Sequence, residues 1–121
     1  MIIVDTSVWI SHLRLGNTHH ELLLNAGHVV CHPFIIGELA CGNIKNRSEI
    51  LSLLQALPQS RVAAHDEVIY FIDAHDLMGK GVGYIDVSLM ASAKLSSIPI
   101  WTLDHKLKKV SSKLKIAYEI P

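Results

Sequence analysis

The sequence predicts an α/β domain with a mostly parallel sheet, because short apolar runs of strand type alternate with segments of helical periodicity. The first run, Ile2-Ile3-Val4, is β-branched throughout, as buried parallel strands often are. It leads directly into Asp5-Thr6-Ser7, residue types that begin helices. In sheets of this class, ligands bind outside the carboxyl ends of the strands, where Asp5 lies.

Five strands are expected along the chain, each a short run of β-branched, aromatic or small apolar residues. They cover residues 2–4, 29–31, 62–64, 99–102 and 115–118. Helices are expected where apolar residues recur at helical spacing and where a glycine or proline ends the pattern. They cover residues 8–15, 19–26, 33–41, 47–57, 65–78 and 84–95, with a final short helix capped by Asp104.

Composition indicates one ordered domain over residues 1–121. Hydrophobic residues make up 50% of the chain and charged residues 18%, which argues against disorder. The formal net charge is zero, so a strongly basic nucleic-acid clamp is not indicated. No run of ~18 apolar residues and no signal peptide are present, which predicts a cytoplasmic protein without membrane contact. The two cysteines, Cys31 and Cys41, are expected to be buried and reduced.

Four acidic residues share an unusual setting, since each is the only charge in an apolar stretch or closes one: Asp5, Glu38, Asp86 and Asp104. An ionised carboxylate in apolar surroundings is costly unless it is paired or bound to a metal. A shared divalent cation would relieve their mutual repulsion, and oxygen-only ligands favour Mg²⁺ or Mn²⁺. The alternatives are helix caps at Asp5, Asp86 and Asp104, and a distant ion pair at Glu38.

Other sequence signals for catalysis are weak. No zinc-type His or Cys spacing, P-loop, nucleophile elbow or dinucleotide fingerprint is present. His75 and His105 are expected at the surface or half-buried, and Trp9 and Trp101 are expected to pack rather than stack on bases. Five of the eleven Lys and Arg residues follow Asp104, at 106, 108, 109, 113 and 115. They form either a solvated helix face or a patch that contacts phosphates.

Four motifs together resemble a known family, the PIN-domain nucleases, and within it the VapC-type toxins of toxin–antitoxin pairs. The first is Ile3-Val4-Asp5-Thr6-Ser7, and the second is Glu38-Leu39 followed by the helix-ending Gly42. The third is Asp86 opening a helix rich in small residues, and the fourth is Thr102-Leu103-Asp104 after a strand. Their order and spacing agree along the whole chain. Ser88 and Ser92 depart from the usual small apolar residues of the third motif.

The resemblance implies a PIN-like three-layer fold and RNA cleavage dependent on Mg²⁺ or Mn²⁺, leaving a 5′-phosphate and a 3′-hydroxyl. It also implies a homodimer and inhibition by a small antitoxin protein. Asp5, Asp86 and Asp104 are then the expected ligands of the metal, and Glu38 either binds it or orients the attacking water. One or two ions remain possible.

Supporting roles follow for residues beside these acids. The hydroxyls of Thr6, Ser7 and Thr102 are expected to orient the carboxylates or to contact the phosphate. Lys106, Lys108 and Lys109 are candidates for binding the RNA backbone.

Two other functions compete with this one. A phosphate-accepting receiver domain is also α/β, but it needs an acidic pair after the first strand, and here Asp5 is followed by Thr6. Its phosphate-accepting Asp should follow a central strand directly, whereas residues 62–64 lead into His65. The second alternative is an inactive PIN-like interaction module, against which the presence of all four acids argues.

Overall fold

Ile2–Val4 forms the central strand of a three-stranded parallel sheet in the computed structural model, which describes residues 1–121. This strand, β1, pairs on one side with β2 (Val29–Val30) and on the other with β3 (Ile100–Trp101). Ile3 lies opposite Val30 and opposite Ile100. The expected α/β class with a parallel sheet is therefore confirmed, with strands at three of the five predicted places.

Seven helices surround this sheet: α1 (Thr6–Leu15), α2 (Thr18–Asn25), α3 (Pro33–Cys41), α4 (Arg47–Ala56), α5 (His65–Ala74), α6 (Tyr84–Ser96) and α7 (His105–Lys113). None of them combines the length and the apolar character that crossing a membrane requires. All seven were expected, and α5 differs most because it ends four residues early. Asp76 adopts a left-handed conformation (φ +52°), and the Leu77 N–H bonds back to the Ile72 carbonyl. That arrangement is a common helix end, and it still buries Leu77.

One core of 25 buried apolar residues lies between the sheet and the helices. Ile3 and Val4 of the central strand are fully buried. Helix α6 is buried at every position from 87 to 93, so no face of its middle reaches solvent. Its serines, Ser88 and Ser92, are therefore interior groups that must find hydrogen-bond partners there.

The predicted strand at residues 62–64 is wrong. The backbone N–H groups of Arg61 and Ala63 donate to the hydroxyls of Ser96 and Ser92 on α6, at 3.1 and 3.0 Å. These donors are thus satisfied by a helix and not by a strand. Beyond β2, the sheet is extended only by an isolated parallel bridge from Cys31 to Gln59. The predicted strand at residues 115–118 is likewise a single bridge, from Ile100 to Ala117.

The two cysteines do not share one environment. Cys31 is fully buried, and burial raises the pKa of its thiol to about 11. Cys41 is exposed, which contradicts the expectation of two buried thiols, because it lies at the solvent-facing end of α3. Trp9 and Trp101 are buried, as expected, at 5% and 4% exposure.

Ser92 also holds His32, a histidine with no exposed surface. The Nδ1 atom of His32 accepts from the Phe34 N–H, so a neutral ring carries its proton on Nε2 and donates it to Ser92 Oγ at 3.0 Å. Burial lowers the pKa of His32 to about 4, consistent with the neutral ring. Ser92 Oγ thus accepts from two buried donors.

Replacing Ser92 by alanine is expected to destabilise the protein by about 1–3 kcal/mol for each buried donor left unsatisfied. Ser88→Ala is the matched control, because Ser88 Oγ only donates to the Tyr84 carbonyl of its own helix. That change should stay within about 1 kcal/mol of the parent protein. Urea unfolding of both variants measures the difference. Equal stabilities would contradict the proposed role of Ser92.

Candidate acidic site at the ends of β1 and β3

The topology creates a crevice between the carboxyl ends of β1 and β3. From β1 the chain continues through α1 and α2 to β2 on one side of the sheet. From β3 it continues through α7 to Ala117, which bridges Ile100 on the other side. The two connections diverge, and such a switch point is where parallel sheets bind ligands. Asp5 follows β1, and Thr102 and Asp104 follow β3.

Asp5 is the buried anchor of this crevice, with 6% of its surface exposed. Its Oδ2 atom accepts hydrogen bonds from Thr102 Oγ1 at 2.8 Å and from Ser7 Oγ at 2.9 Å. The carboxylate makes no capping bond to α1, although Asp5 occupies the N-cap position. The simple helix-cap interpretation of Asp5 therefore fails, and Oδ1 is left without a side-chain donor.

The two hydroxyls that serve Asp5 also fix the turn after β3. Thr102 Oγ1 accepts from the Asp104 N–H, and Ser7 Oγ accepts from the Leu103 N–H, both at 3.0 Å. Each hydroxyl has one proton, and both protons go to Asp5, so the 3.2 Å contact between the hydroxyls is no additional bond. The backbone after β3 is thereby tied to the charge at the end of β1.

Glu38 reaches the same end of the sheet from α3. Thr6 Oγ1, in the first turn of α1, donates to Glu38 Oε1 at 2.7 Å. Glu38 is exposed, although its sequence neighbours are apolar, because it lies on the outer face of a helix whose Ile35 and Leu39 point into the core. Its partner is a hydroxyl and not the distant Arg or Lys considered from the sequence.

Asp86 lies in the first turn of α6 and is partly buried. Burial raises the pKa of its carboxyl, and the negative charges of Asp5 and Asp104 raise it further. A 3.3 Å hydrogen bond from the Gly83 N–H opposes this shift. Asp86 therefore caps its helix, and its carboxyl also interacts electrostatically with Asp5 and Asp104.

Asp104 has a capping role as well. Its Oδ1 atom accepts from the Leu107 N–H at 2.9 Å, which begins α7. The side chain is exposed, and its second oxygen accepts no side-chain or backbone bond. Capping and ion binding are thus compatible here, since they use different oxygens.

The structure brings the predicted acids to one region, but it does not assemble a closed cage. Asp5, Asp86 and Asp104 are near enough to influence one another, and Thr6 ties Glu38 to the same helix start. No three His, Cys, Asp or Glu side chains are placed to hold one metal ion between them. Direct coordination by all four acids stays a prediction.

A hydrated divalent cation fits this arrangement. Mg²⁺ usually keeps several waters and uses one or two carboxylates together with the phosphate of a substrate. The four acids offer oxygen atoms as metal ligands. The hydrogen bonds that these carboxylates accept come from hydroxyl and backbone N–H groups. Free oxygens remain on Asp5 and Asp104, which suits direct or water-mediated contacts.

A basic cleft adjoins Asp104. It has a volume of about 570 Å³, and its charged lining residues are Lys80, Lys106, Lys109, Lys113, His75 and His105. Lys106, Lys109 and Lys113 project from one face of α7, whereas Lys108 is exposed elsewhere on that helix. The Lys106 chain lies across Gly81, where an added Cβ would come within 2.7 Å of its Cδ.

Lys80 and His75 were not connected with this cleft from the sequence, because they lie more than twenty positions before α7, Lys80 between Gly79 and Gly81 and His75 just after α5. No local motif marks them. Lys113 belongs to the basic group noted after Asp104, and its helical spacing from Lys106 and Lys109 places it on their face of α7.

Comparisons with known proteins bear on the family and the fold of this chain. Residues 2–113 match the PIN domain family. The chain is 42% identical to Ribonuclease VapC32 from two strains of Mycobacterium tuberculosis, over 97% of this chain and 95% of that protein. Among solved structures it resembles PAE2754 from Pyrobaculum aerophilum, with a TM-score of 0.68 at 17% identity. That match covers 97% of this chain and 87% of the other, and it supports the fold.

The raised pKa of Asp86 has a consequence for stability. An unfolded aspartate titrates near ~3.9. Folding raises this value, so the folded protein binds the proton more tightly, and the free energy of unfolding falls as pH rises through the interval between the two pKa values. Without divalent ions, Asp86→Asn should therefore melt at a higher temperature than the parent near neutral pH. The difference should shrink once acid protonates Asp86.

Calorimetry in EDTA at several pH values measures this effect, with Asp73→Asn on the exposed face of α5 as the control. An Asp86→Asn variant that is less stable than the parent at neutral pH would contradict the argument. So would an Asp73→Asn variant that gains as much stability.

Proposed function

Since the chain belongs to the PIN-domain family, and within it to the VapC type, we propose that it is an endoribonuclease that uses Mg²⁺ or Mn²⁺ to hydrolyse RNA phosphodiester bonds. One observation carries the proposal: three aspartates from different elements converge at the switch point, close enough for Asp5 and Asp104 to raise the pKa of Asp86. Such repulsion is tolerated at sites that bind cations.

Asp5, Asp86 and Asp104 would hold the cation, directly or through water. When bound, it neutralises charge on the scissile phosphate and makes a neighbouring water more acidic. Thr102 and Ser7 orient the Asp5 carboxylate by donating hydrogen bonds to one of its oxygens. Thr6 engages Oε1 of Glu38, which leaves Oε2 available to orient the attacking water and to accept its proton.

Hydrolysis of the kind that the family resemblance implies would break the bond between phosphorus and the 3′ oxygen. The oxygen of water would bond to phosphorus as that bond breaks, Glu38 would take one proton of this water, and the departing 3′ oxygen would take a proton from solvent. The products are a 5′-phosphate and a 3′-hydroxyl, as the family resemblance implies.

Removing one of the aspartates is expected to lower RNA cleavage by roughly 100-fold or more, since each stabilises the charge of the reacting site. Asp5→Asn and Asp86→Asn are compared with the parent and with Asp73→Asn, on structured and unstructured RNAs with Mg²⁺, with Mn²⁺ and with EDTA. Asp73→Asn should retain full activity. Cleavage that survives in Asp5→Asn, or that persists in EDTA, would refute this assignment.

The basic cleft is the proposed path of the RNA backbone. It begins next to Asp104, and its lysines provide the charges that phosphates require. Of the three lysines predicted from the sequence, Lys106 and Lys109 line the cleft and Lys108 does not. The proposal is accordingly narrowed to the face of α7 that carries Lys106, Lys109 and Lys113.

Lys109→Ala is expected to weaken RNA binding and to reduce the slope of log affinity against log salt by about 0.7, the value for one single-strand phosphate contact. Lys108→Ala is a control on the same helix that removes the same charge outside the cleft. Binding of a labelled RNA at several salt concentrations distinguishes them. Equal losses in both variants would indicate general electrostatic attraction and no defined path.

We also propose that the protein is the toxin of a toxin–antitoxin pair, acts as a homodimer in the cytoplasm and is inhibited by a small antitoxin protein. The support is the similarity to the VapC type over 97% of the chain. Mass measurement of the purified protein tests the dimer. Co-expression with a candidate small antitoxin protein tests the inhibitor. Normal growth of cells that express the active protein alone would contradict the toxin role.

The inactive-module alternative retains one supporting observation, the lack of three ligands at metal-binding spacing. Titration with Mn²⁺ separates the two functions, because an interaction module needs no ion. The receiver alternative lacks support, since the acidic pair and the strand at residues 62–64 that it requires are both missing.

A further inference from the structure

A second depression adjoins the acidic site on the side of Glu38. It has a volume of about 380 Å³ and lies between α3 and the start of α6. Phe34, Cys41, Tyr84 and Ile85 form most of its wall, and Glu38 lies at its edge. Tyr84 and Ile85 are 42% and 38% exposed, although Asp86 of the acidic site follows them directly.

Each of the two aromatic rings of this depression, Phe34 and Tyr84, is restrained by contact with a histidine. The Tyr84 hydroxyl is hydrogen-bonded to His65 Nδ1 at 2.8 Å. The Phe34 ring packs edge-on against His32, with 5.1 Å between ring centroids, and His32 is itself fixed by Ser92. These contacts restrict both rings of the apolar depression, so they have little conformational entropy left to lose on binding.

Charge decides which part of an RNA suits this surface. The only charged lining residue is Glu38, which repels phosphate, and no lysine or arginine is present. The lysines of the basic cleft are in a separate depression that shares no residue with this one. A phosphate held near the acids would thus have a cationic path on one side and an apolar aromatic surface on the other.

We infer that the depression formed by Phe34, Cys41, Tyr84 and Ile85 binds an unpaired nucleobase next to the scissile phosphate. This inference rests on the proposed ribonuclease function and names its substrate as RNA with at least one unstacked base at the cut. Stacking on aromatic rings is the usual way in which proteins hold single-stranded bases. A base inside a duplex cannot enter, because its faces are covered by its neighbours.

Cys41 offers a readout of occupancy that does not depend on cleavage. It is the exposed thiol of the chain and lines the depression, whereas Cys31 is buried and mostly protonated. The alkylation rate of Cys41 by iodoacetamide is measured with short oligo(A), with oligo(U) and with the duplex of the two. Measurements are made on the parent protein in EDTA and on Asp86→Asn with Mg²⁺, with the RNA checked to be intact.

Single-stranded oligonucleotides are expected to slow the alkylation several-fold, and the duplex is expected to have little effect. Tyr84→Ala should abolish the protection and weaken single-strand affinity by about tenfold, the usual loss for one base–aromatic stack. Tyr84→Phe keeps the ring but loses the hydroxyl bonded to His65, so it should retain protection and lose much less affinity than Tyr84→Ala does. Tyr70→Ala, which removes an equally large exposed tyrosine from α5, is the control and should change nothing.

Three results would overturn the inference: no protection by either single strand, equal protection by the duplex, or protection that survives in Tyr84→Ala. Alkylation that slows with protein concentration in the absence of RNA would instead show that a second copy covers the depression. RNA cleavage without protection of Cys41 would reject the base site and leave the nuclease intact. Absence of both cleavage and protection would reject the proposed function as well.

Discussion

Asp5 places a carboxylate at the end of the central strand with 6% of its surface exposed, and its neighbours are arranged around that charge. A buried carboxylate must be hydrogen-bonded to remain ionised at acceptable cost. Thr102 and Ser7 supply the bonds, and the start of α1 adds the favourable end of a helix dipole. The same hydroxyls fix the turn after β3, so the position of Asp104 depends on Asp5. The Asp5 carboxylate thus has two effects: it makes the site suitable for a cation, and it fixes the conformation of the backbone after β3.

Most of the fold follows from local sequence, because apolar periodicity, glycine and proline stops and the Asp104 cap locate all seven helices. The failures have specific causes. Residues 62–64 look like a strand, but Ser92 and Ser96, one turn apart on α6, accept from the backbone N–H groups of Ala63 and Arg61. No local pattern reveals this tertiary contact. Helix α5 ends early because Asp76 adopts a left-handed conformation, which aspartate tolerates and sequence does not predict. The sheet is narrower than expected because its outer segments make single bridges.

The position of four acids in apolar stretches of sequence identified the region of the site, but it did not predict whether each side chain is buried or exposed. Only Asp5 is buried, while Glu38 is exposed on the outer face of α3. Apolar neighbours in a helix sequence do not report which way one residue points, since adjacent positions differ by ~100° around the axis. The aromatic wall beside Glu38 was missed because its residues come from α3 and α6, about fifty positions apart in the sequence. Only the exposure of Tyr84 and Ile85, visible in the structure, marks it.

The hydrogen bond between Thr102 and Asp5 joins residues 97 positions apart. The central strand likewise obtains one of its two neighbours, β3, only after nearly the same length of chain. While the protein is being synthesised, β1 can pair with β2, but the crevice has no second wall, and Asp5 lacks the donors that orient it. The nascent chain therefore carries separate acids and no assembled site. The ribosome that synthesises this protein and the messenger RNA that encodes it are therefore not exposed to a complete acidic site until residue 104 has emerged.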